Sequence, residues 1–585
     1  MVTIQQISKE YIRLSFVSYY HYVIRDNRLE DIPGVVRCDA RKYCVVPLSS
    51  LPFIRAEFDG EIYYKTPLWK LLGQSEPEKA EIKFFGPEPD VPSLALKPYE
   101  YQNEGIKFMI DRLNNEGFVL NGDGVGLGKT LQTIGTIKWF VENRGARKIL
   151  IICKKSIKTQ WSEEIRRIAD WQKVPIFVTG STKKKRSEAY EGIRNSRTGI
   201  LITNYHSFLN DSEEINTVNY DICVIDEAHC IKGKDGKMNN LIAETVSGKR
   251  TILLTGTPIM SRPEDIYGIV SMVSPNFFGT YDAFEARYMR MADGKFGRQM
   301  FGVWHLDELQ EKIQRFLIMR SAEDVALELP KRKLKCITCE MDSLQKRMHE
   351  IVSERIERIN EELDKVELSG MPHEEKLAMK AEIAKKINAY NAPLQFIADD
   401  PSIFRYRDWK KGTVNYQLAR KLPASYRMSE KTAALLDLVS EIVNAGEKAI
   451  IFCHWETSTK MLCDRLEQNK ITVVRYTGRE DDEERAANVD AFKSDPSVNV
   501  MIGTDAMAEG LNLQVCPFLI NYEQADTDAL KDQRSGRIRR IGSRYESVYI
   551  IDLVTKEKDS KDVKKMRKMT RDGDMSSGIL VQATA

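Results

Sequence analysis

Residues 118–134 read FVLNGDGVGLGKTLQTI, an apolar strand that runs into a glycine-rich loop, ends it in Gly-Lys-Thr and opens a helix. This is the pattern of a phosphate-binding loop. Gly124, Gly126 and Gly128 let the backbone curl so that successive N–H groups face an anion, and the helix adds its positive N-terminal end. Asp123, Val125 and Leu127 complete the cradle. Lys129 is placed to reach the β- and γ-phosphates of a nucleotide, and Thr130 to set its hydroxyl on Mg²⁺. The strict G-x-x-x-x-G-K-[ST] pattern wants glycine where this chain has Asp123. An ordinary glycine turn is the rival reading, and the strand before, the helix after and Lys-Thr in register count against it.

Outward from this loop the chain alternates short apolar strands with helical segments. Strands are expected at Phe118 to Leu120, Lys148 to Cys153, Pro175 to Val178, Gly199 to Ile202, Ile222 to Ile225 and Arg250 to Leu254. That alternation implies a mostly parallel sheet covered on both faces. A second such series runs through Lys448 to Cys453, Thr472 to Tyr476, Val498 to Ile502, Phe518 to Tyr522 and Val548 to Leu553. The expected fold class is therefore α/β, with two parallel-sheet lobes over residues 94–330 and 426–556. Between them, residues 331–425 read as a charged helical insertion and linker, with Leu344, Met348, Ile351, Ile359, Leu363 and Val366 close to a 3.6 period. Residues 557–585 read as a locally basic tail that starts as a helix and frays.

The acid pair expected of a nucleotide site stands at the end of the strand in CVIDEAHC. Asp226 is placed to hold Mg²⁺, Glu227 to orient and deprotonate the attacking water, and His229 to link the site to the next motif. That motif is Thr255-Gly256-Thr257-Pro258, whose hydroxyls suit a relay between nucleotide and neighbouring lobe, although a plain turn would use the same residues. In the second lobe Gln533, Gly536, Arg537 and Arg540 form Q-x-x-G-R-x-x-R. On a helix this sets the two arginines one turn apart on one face, ready to meet triphosphate charge across an interlobe cleft.

Composition adds bounds. The chain has 585 residues, room for about three or four domains, with 30% charged and 42% hydrophobic residues. Its 88 basic and 85 acidic residues leave a net charge of +3, so a nucleic-acid surface must come from local clustering. No apolar run approaches a membrane span, and MVTIQQISKEYIR lacks a signal-peptide core, so an intracellular protein is expected, in a prokaryotic or virus-infected cytoplasm or a eukaryotic nucleus. Ten scattered cysteines fit reduced thiols, and Cys336 with Cys339 is a lone C-x-x-C without a second pair at zinc spacing.

In this order the motifs resemble the superfamily 2 helicase motor, and more narrowly its SWI/SNF-like ATPase family, over about residues 94–556. The marks are Pro98-Tyr99 with Gln102 and Gly105, Asp123 in place of the first loop glycine, Gly126 to Thr133, and Asp226-Glu227-Ala228-His229. The resemblance implies two RecA-like lobes, ATP and Mg²⁺ as cofactors, and Gln102 as the reader of adenine. It also implies that Lys154, Lys155, Ser156, Thr203, His454 and Thr504 contact the nucleic-acid backbone. Ile259-Met260-Ser261-Arg262-Pro263 departs from the remodelling branch and looks like the annealing-helicase branch. Residues 1–90 are read as a separate small α+β module; Asp31-Ile32-Pro33-Gly34, Arg37-Cys38-Asp39, Tyr43 and Val46-Pro47-Leu48 are similar to a HARP-like domain, with a generic β-rich cap as the equal alternative.

The expected function is an ATP-driven translocase on double-stranded or forked DNA, monomeric, with DNA-bound proteins as further partners and no membrane. Its enzymatic rival is a strand-separating DNA or RNA helicase, and its non-enzymatic rival an ATP-gated DNA clamp.

Overall fold

The computed structural model describes residues 83–231, 236–256, 263–294, 297–321, 324–325, 329–368, 371–508, 511–540, 543–557 and 560–566, with Ile54 and five strands of the first 64 residues. Those strands are β1 (Val2–Gln6), β2 (Tyr11–Phe16), β3 (Val36–Cys38), β4 (Tyr43–Pro47) and β5 (Ile62–Tyr64). They form one sheet in the order β3-β4-β2-β1-β5, antiparallel except where β5 joins β1. Leu14 and Cys44, opposite each other in register, are both fully buried and mark the inner face.

The first of two compact units holds Met1–Ala292 and Arg298–Val325. Its main sheet takes β6 (Phe118–Asn121), β7 (Lys148–Cys153), β8 (Ile176–Val178), β9 (Gly199–Asn204), β10 (Ile222–Asp226) and β11 (Arg250–Leu254). A hairpin follows, β12 (Met289–Gly294) with β13 (Gly297–Val303), and then the two-residue β14 (Leu317–Ile318). The sheet order is β14-β6-β11-β10-β7-β9-β8, parallel throughout. Strand side chains alternate between two cores. Phe118, Leu120, Leu150, Ile152, Cys223, Ile225 and Leu253 fill one, while Val119, Ile149, Ile151, Val224, Ile252 and Leu254 fill the other. Burial on both faces is why these strands read as continuous apolar runs.

The second unit spans Ala326–Arg571. It is built on β15 (Lys331–Cys339), β16 (Ala449–Phe452), β17 (Val473–Tyr476), β18 (Val500–Gly503), β19 (Phe518–Asn521) and β20 (Ser547–Thr555). The order is β15-β20-β19-β16-β18-β17, again parallel. Here too the faces alternate, with Ala449, Ile451 and Ile502 in one core and Ile450, Phe452 and Met501 in the other.

Two expectations about domains need correction. The second lobe begins near residue 326 and not 426, because β15 is its edge strand, paired along its whole length with β20. Only part of 331–425 is an insertion: helices Ser343–Leu368 and His373–Asn388 form a hairpin whose far end has its own small core of Leu363, Val366 and Ile383, while Met348, Val352, Leu394 and Phe396 join the lobe core. The tail begins as a helix over 561–566. Ser560 and Asp562 are fully buried, and Lys431 Nζ lies 2.6 Å from both Asp399 Oδ1 and Asp562 Oδ2, which locks residues 561–566 to the lobe. Among the described residues no helix is long and apolar enough to cross a membrane. The nine described cysteines are free thiols, and Cys336 is exposed while Cys339 is buried, as befits opposite faces of one strand; the pair does not converge on a metal.

Candidate ATP site and strand-end clusters

In the first unit the loop after β6 is held from behind by a buried polar hub. Asp123 is fully buried; Arg320 Nε donates to its Oδ1 at 3.0 Å, Arg320 Nη2 to Oδ2 at 2.6 Å, and Gln132 Nε2 to Oδ2 at 2.9 Å. Arg320 Nη2 also donates to Gln132 Oε1 at 3.1 Å, which Asn121 Nδ2 reaches at 3.1 Å. A Cβ on Gly105 would fall 1.9 Å from Gln132 Oε1, so only glycine lets the helix Glu100–Asn115 pass this hub. Asp123 therefore anchors the loop by its side chain and does not face a phosphate. The N–H of Gly124 is likewise committed, to Arg320 O at 2.9 Å, because the chain beyond β14 continues the ladder into the loop. The phosphate cradle narrows to the residues after it.

Gln102, expected to read adenine, is 5% exposed and spends its amide inside the protein. Its Oε1 accepts from Tyr99 N at 3.0 Å and its Nε2 donates to Leu127 O at 3.1 Å, beside the Tyr101 hydroxyl that reaches the same carbonyl. Gln102 supports the loop. Gly128 has φ of 82°, and a Cβ there would meet Gln102 Nε2 at 2.4 Å, so both its backbone conformation and its neighbour require glycine. Gly126, also left-handed, is exposed at the tip, with Val125 half-buried and Leu127 buried on either side. Lys129 Nζ donates to Asp123 O at 2.6 Å and Gly124 O at 3.4 Å, spanning the loop it closes, and Thr130 is half-buried in the first turn of the helix Lys129–Arg144.

The acid pair lies at the end of β10, the strand order bringing it between β7 and β11. Asp226 Oδ2 accepts from Trp161 Nε1 at 2.8 Å, and its backbone carbonyl accepts from the Tyr205 hydroxyl. Burial, with Glu227 next to it, raises the Asp226 carboxyl to about 6, against the pull of Trp161 and Lys129. Glu227 adopts a left-handed φ of 56°, uncommon outside glycine. Its Oε2 is buried, lies 3.2 Å from His229 Nδ1 in ion-pair range, and makes no hydrogen bond. His229 Nδ1 is instead aligned with Thr255 Oγ1 at 2.9 Å. A Cβ on Gly256 would come 3.7 Å from Lys129 Nζ, so the Thr255-Gly256 corner adjoins the loop lysine. Thr257 lies outside the described residues, as do Ile259 to Arg262. The structure thus brings Lys129, Asp226, Glu227, His229 and Thr255 together in one unit. An orphaned carboxylate oxygen beside a second acid and a lysine fits a site built for a divalent cation and an attacking water.

Of the expected nucleic-acid contacts, Lys155 and Ser156 are exposed and Lys154 half-buried just past the carboxyl end of β7. Thr203 is a correction: it is fully buried within β9, where its Oγ1 accepts from Thr179 Oγ1 at 3.3 Å, so it offers nothing to a phosphate.

In the second unit the centre is Arg534, fully buried and absent from the sequence reading. Its Nε and Nη2 donate to Asp505 Oδ1 at 2.9 and 2.7 Å, and its Nη1 to Asn521 Oδ1 at 2.9 Å and Glu523 O at 2.8 Å. Asp505 Oδ2 lies 3.2 Å from His454 Nδ1. That bond holds His454 above its ordinary value, and although burial works against it, His454 and Arg534 together hold Asp505 below the usual range. Half-buried Thr504 sits beside it at the end of β18.

Arg537 and Arg540 are not on the helix. That helix, Asp528–Ser535, ends at Gly536, and the next turn tightens through Arg537 N to Arg534 O and Ile538 N to Ser535 O, 3.1 and 3.2 Å. The two arginines nevertheless converge: Arg537 Nη1 and Arg540 Nη2 donate to Leu511 O at 3.1 and 2.8 Å. Gln533 is buried, its carbonyl accepting from Arg537 Nε at 3.1 Å.

Comparison with known families agrees with this geometry. An SNF2-related domain matches residues 101–390, and a helicase conserved C-terminal domain matches residues 430–542. The chain carries the two domains of an SNF2-family helicase-type ATPase. It is an ATP-hydrolysing enzyme, and the loop at Lys129 with the Asp226-Glu227 pair belongs to its SNF2-related part. It is similar to the uncharacterized ATP-dependent helicase YqhH of Bacillus subtilis, 24% identical over 84% of this chain and 81% of the relative. It is also similar to chromodomain-helicase-DNA-binding protein 1-like of Danio rerio, 26% identical over 80% of this chain and 42% of that one. The TATA-binding protein-associated factor MOT1 of Saccharomyces cerevisiae is 26% identical over 78% of this chain, which spans 26% of it. The chain thus spans less than half of the two eukaryotic relatives.

Proposed function

We propose that this SNF2-family ATPase is a translocase on double-stranded DNA that remodels or anneals forks, bubbles or protein–DNA complexes. The observation that carries the reading is the assembly of Lys129, Asp226, Glu227, His229 and Thr255 around one glycine loop, with Lys155 and Ser156 exposed at a nearby strand end of the same sheet. Lys129 binds the β/γ-phosphate charge, Glu227 takes the proton of the attacking water, and His229, 3.2 Å from that acid, links the site to Thr255. Asp226 and Thr130 would hold Mg²⁺, which neutralises phosphate charge when bound. DNA as the partner is carried over from relatives whose names give helicases and a DNA-binding protein.

The preference for forks and the annealing activity are assigned to residues 1–90, on the HARP-like resemblance around β3 and β4. The motor's contacts are with backbone phosphates, which carry no shape or sequence choice by themselves. Of the residues that carry this resemblance, Asp31 to Gly34, Asp39 and Leu48 lie outside the described residues. The match of the second lobe to the helicase C-terminal domain favours strand separation as a second reading.

ATPase rate measured against single strands, duplexes, forks and RNA tests both. Stimulation by duplex and fork without strand displacement supports translocation; displacement of a labelled strand supports the second reading. Equal rates with and without every nucleic acid overturn both. Deletion of residues 1–90 is expected to keep duplex stimulation and erase fork preference; a truncated protein that keeps it makes the module a structural cap.

A further inference from the structure

Asp226 is gripped by two side chains from outside the motifs that form the nucleotide loop. Trp161 Nε1 donates to its Oδ2 at 2.8 Å, and the Tyr205 hydroxyl donates to its backbone carbonyl. Their places in the chain are what matters. Trp161 stands in the first turn of the helix Lys158–Ala169, which continues directly from the short helix Lys155–Ile157 at the carboxyl end of β7. Tyr205 opens the helix Tyr205–Ile215 at the carboxyl end of the neighbouring β9, beside the exposed His206. Trp161 thus lies about one turn behind the exposed Lys155 and Ser156, and Tyr205 stands next to the exposed His206.

The ring of Trp161 is 3% exposed and packs in the core with Ile165 and Ile168. A buried indole N–H must find an acceptor. Here the acceptor is the carboxylate that would hold Mg²⁺. The helix start is tied nearby, since Lys158 Nζ donates to Thr179 O just past the end of β8, so a load on Lys155 or Ser156 acts as a lever about that held end. Hydrogen bonds weaken steeply as they bend, so a small rock changes the hold on Asp226.

We propose that Trp161 and Tyr205 are positioning residues through which duplex DNA, lying on the strand-end segments after β7 and β9, sets Asp226 for Mg²⁺ and so couples DNA binding to the nucleotide site. The proposal rests on the reading of Lys155 and Ser156 as phosphate contacts.

The test uses the full chain and the fluorescent nucleotide mant-ADP. The Mg²⁺ concentration that half-saturates mant-ADP binding is measured with and without a duplex, together with duplex affinity. In the wild-type protein the duplex is expected to lower that concentration by about tenfold, the scale of one charge-assisted hydrogen bond. Trp161→Phe keeps the ring and loses only the N–H; Tyr205→Phe loses only the hydroxyl. Without Mg²⁺ and nucleotide both are expected to bind duplex as the wild type does, which also shows them folded, and both are expected to lose most of the DNA-induced shift. A structural role alone would leave the shift intact, and an intact shift in both variants overturns the proposal, as does its absence from the wild type. Lys155→Ala separates the two readings: unchanged duplex affinity in that variant overturns the contact assignment, whatever Trp161→Phe does.

Discussion

Replacing Arg320 with methionine is expected to unseat the nucleotide loop, although Arg320 touches no nucleotide. Asp123 is fully buried, and its two oxygens take three hydrogen bonds, two of them from Arg320 at 3.0 and 2.6 Å. At these separations and an effective dielectric near that of other protein ion pairs, the attraction is on the order of 4–6 kcal/mol. Methionine fills the stem but removes all of it, leaving a buried carboxylate with Gln132 as its remaining partner among these bonds. Breaking a buried pair from one side costs about 3–5 kcal/mol. For a domain of this size that corresponds to roughly 10 °C of melting temperature. Removing the charge from the other side as well relieves the penalty, since a buried amide costs less than a buried unpaired carboxylate. Thermal melting and mant-ATP titration of Arg320→Met, Asp123→Asn and the double variant form a cycle. The single Arg320→Met protein should melt lowest and bind nucleotide most weakly, and the double variant should recover at least half of both losses. An Arg320→Met protein that melts within about 2 °C of the wild type, or a double variant no better than it, refutes the anchoring role.

Four more outcomes are expected. Lys129→Ala abolishes hydrolysis, whereas Glu227→Gln binds ATP without turning it over, because the amide keeps the shape and accepts no proton; nucleotide titration beside steady-state ATPase checks both. Arg537→Ala and Arg540→Ala keep ATP affinity within about tenfold but lose roughly 10³-fold in kcat; a loss of affinity at unchanged kcat would place them in ground-state binding. Lys431→Met leaves Asp399 and Asp562 buried side by side and costs about 3–5 kcal/mol in denaturant melts, with residues 561–566 turning protease-sensitive. The His454–Asp505 pair stabilises from above the usual carboxylate range up to the raised value of His454, so its contribution fades as pH climbs beyond about 6.5. Melting temperature against pH should lose that step in His454→Gln.

Much of the fold was legible because its strands are buried on both faces. Lys148–Cys153 and Arg250–Leu254 match their expected ends, since nothing but apolar and β-branched residues suits a strand flanked by two cores. β14 is too short to leave a period, and β15, strand-like over KLKCITC, falls in the stretch read as insertion and linker because its first side chains are charged and exposed. The site was legible as motifs but not as partnerships. Arg320 meets Asp123 across 197 positions of sequence, a relation that only the register of β14 on β6 creates. Trp161 carried a local signal: it falls in helical period with Ile165 and Ile168, and a core tryptophan needs an acceptor. Thr203 was misplaced because β9 runs two residues further than its apolar run, and the arginine pair because Gly536 ends the helix first.

The two units share one device at their strand ends. In each, an aspartate just past the strand next to one edge of the sheet is gripped by an arginine from later in the chain: Asp123 after β6 by Arg320, Asp505 after β18 by Arg534. Apolar packing would hold such a loop only by burying its tip, and a tip that must meet phosphate has to stay in water. A buried ion pair at the base solves this differently, because it fixes direction as well as depth while leaving the outer residues uncovered. The first unit shows the result, with Asp123 fully buried and Gly126, three residues on, exposed. The firmness of each loop then depends on one distant arginine, and whatever moves the segment carrying that arginine moves the loop. In the first unit that segment is the stretch after β14, the last part of the chain before the second unit begins at Ala326. The stretch after β14 thus holds the nucleotide loop through one side chain, and Arg320 and Asp123 can only move together.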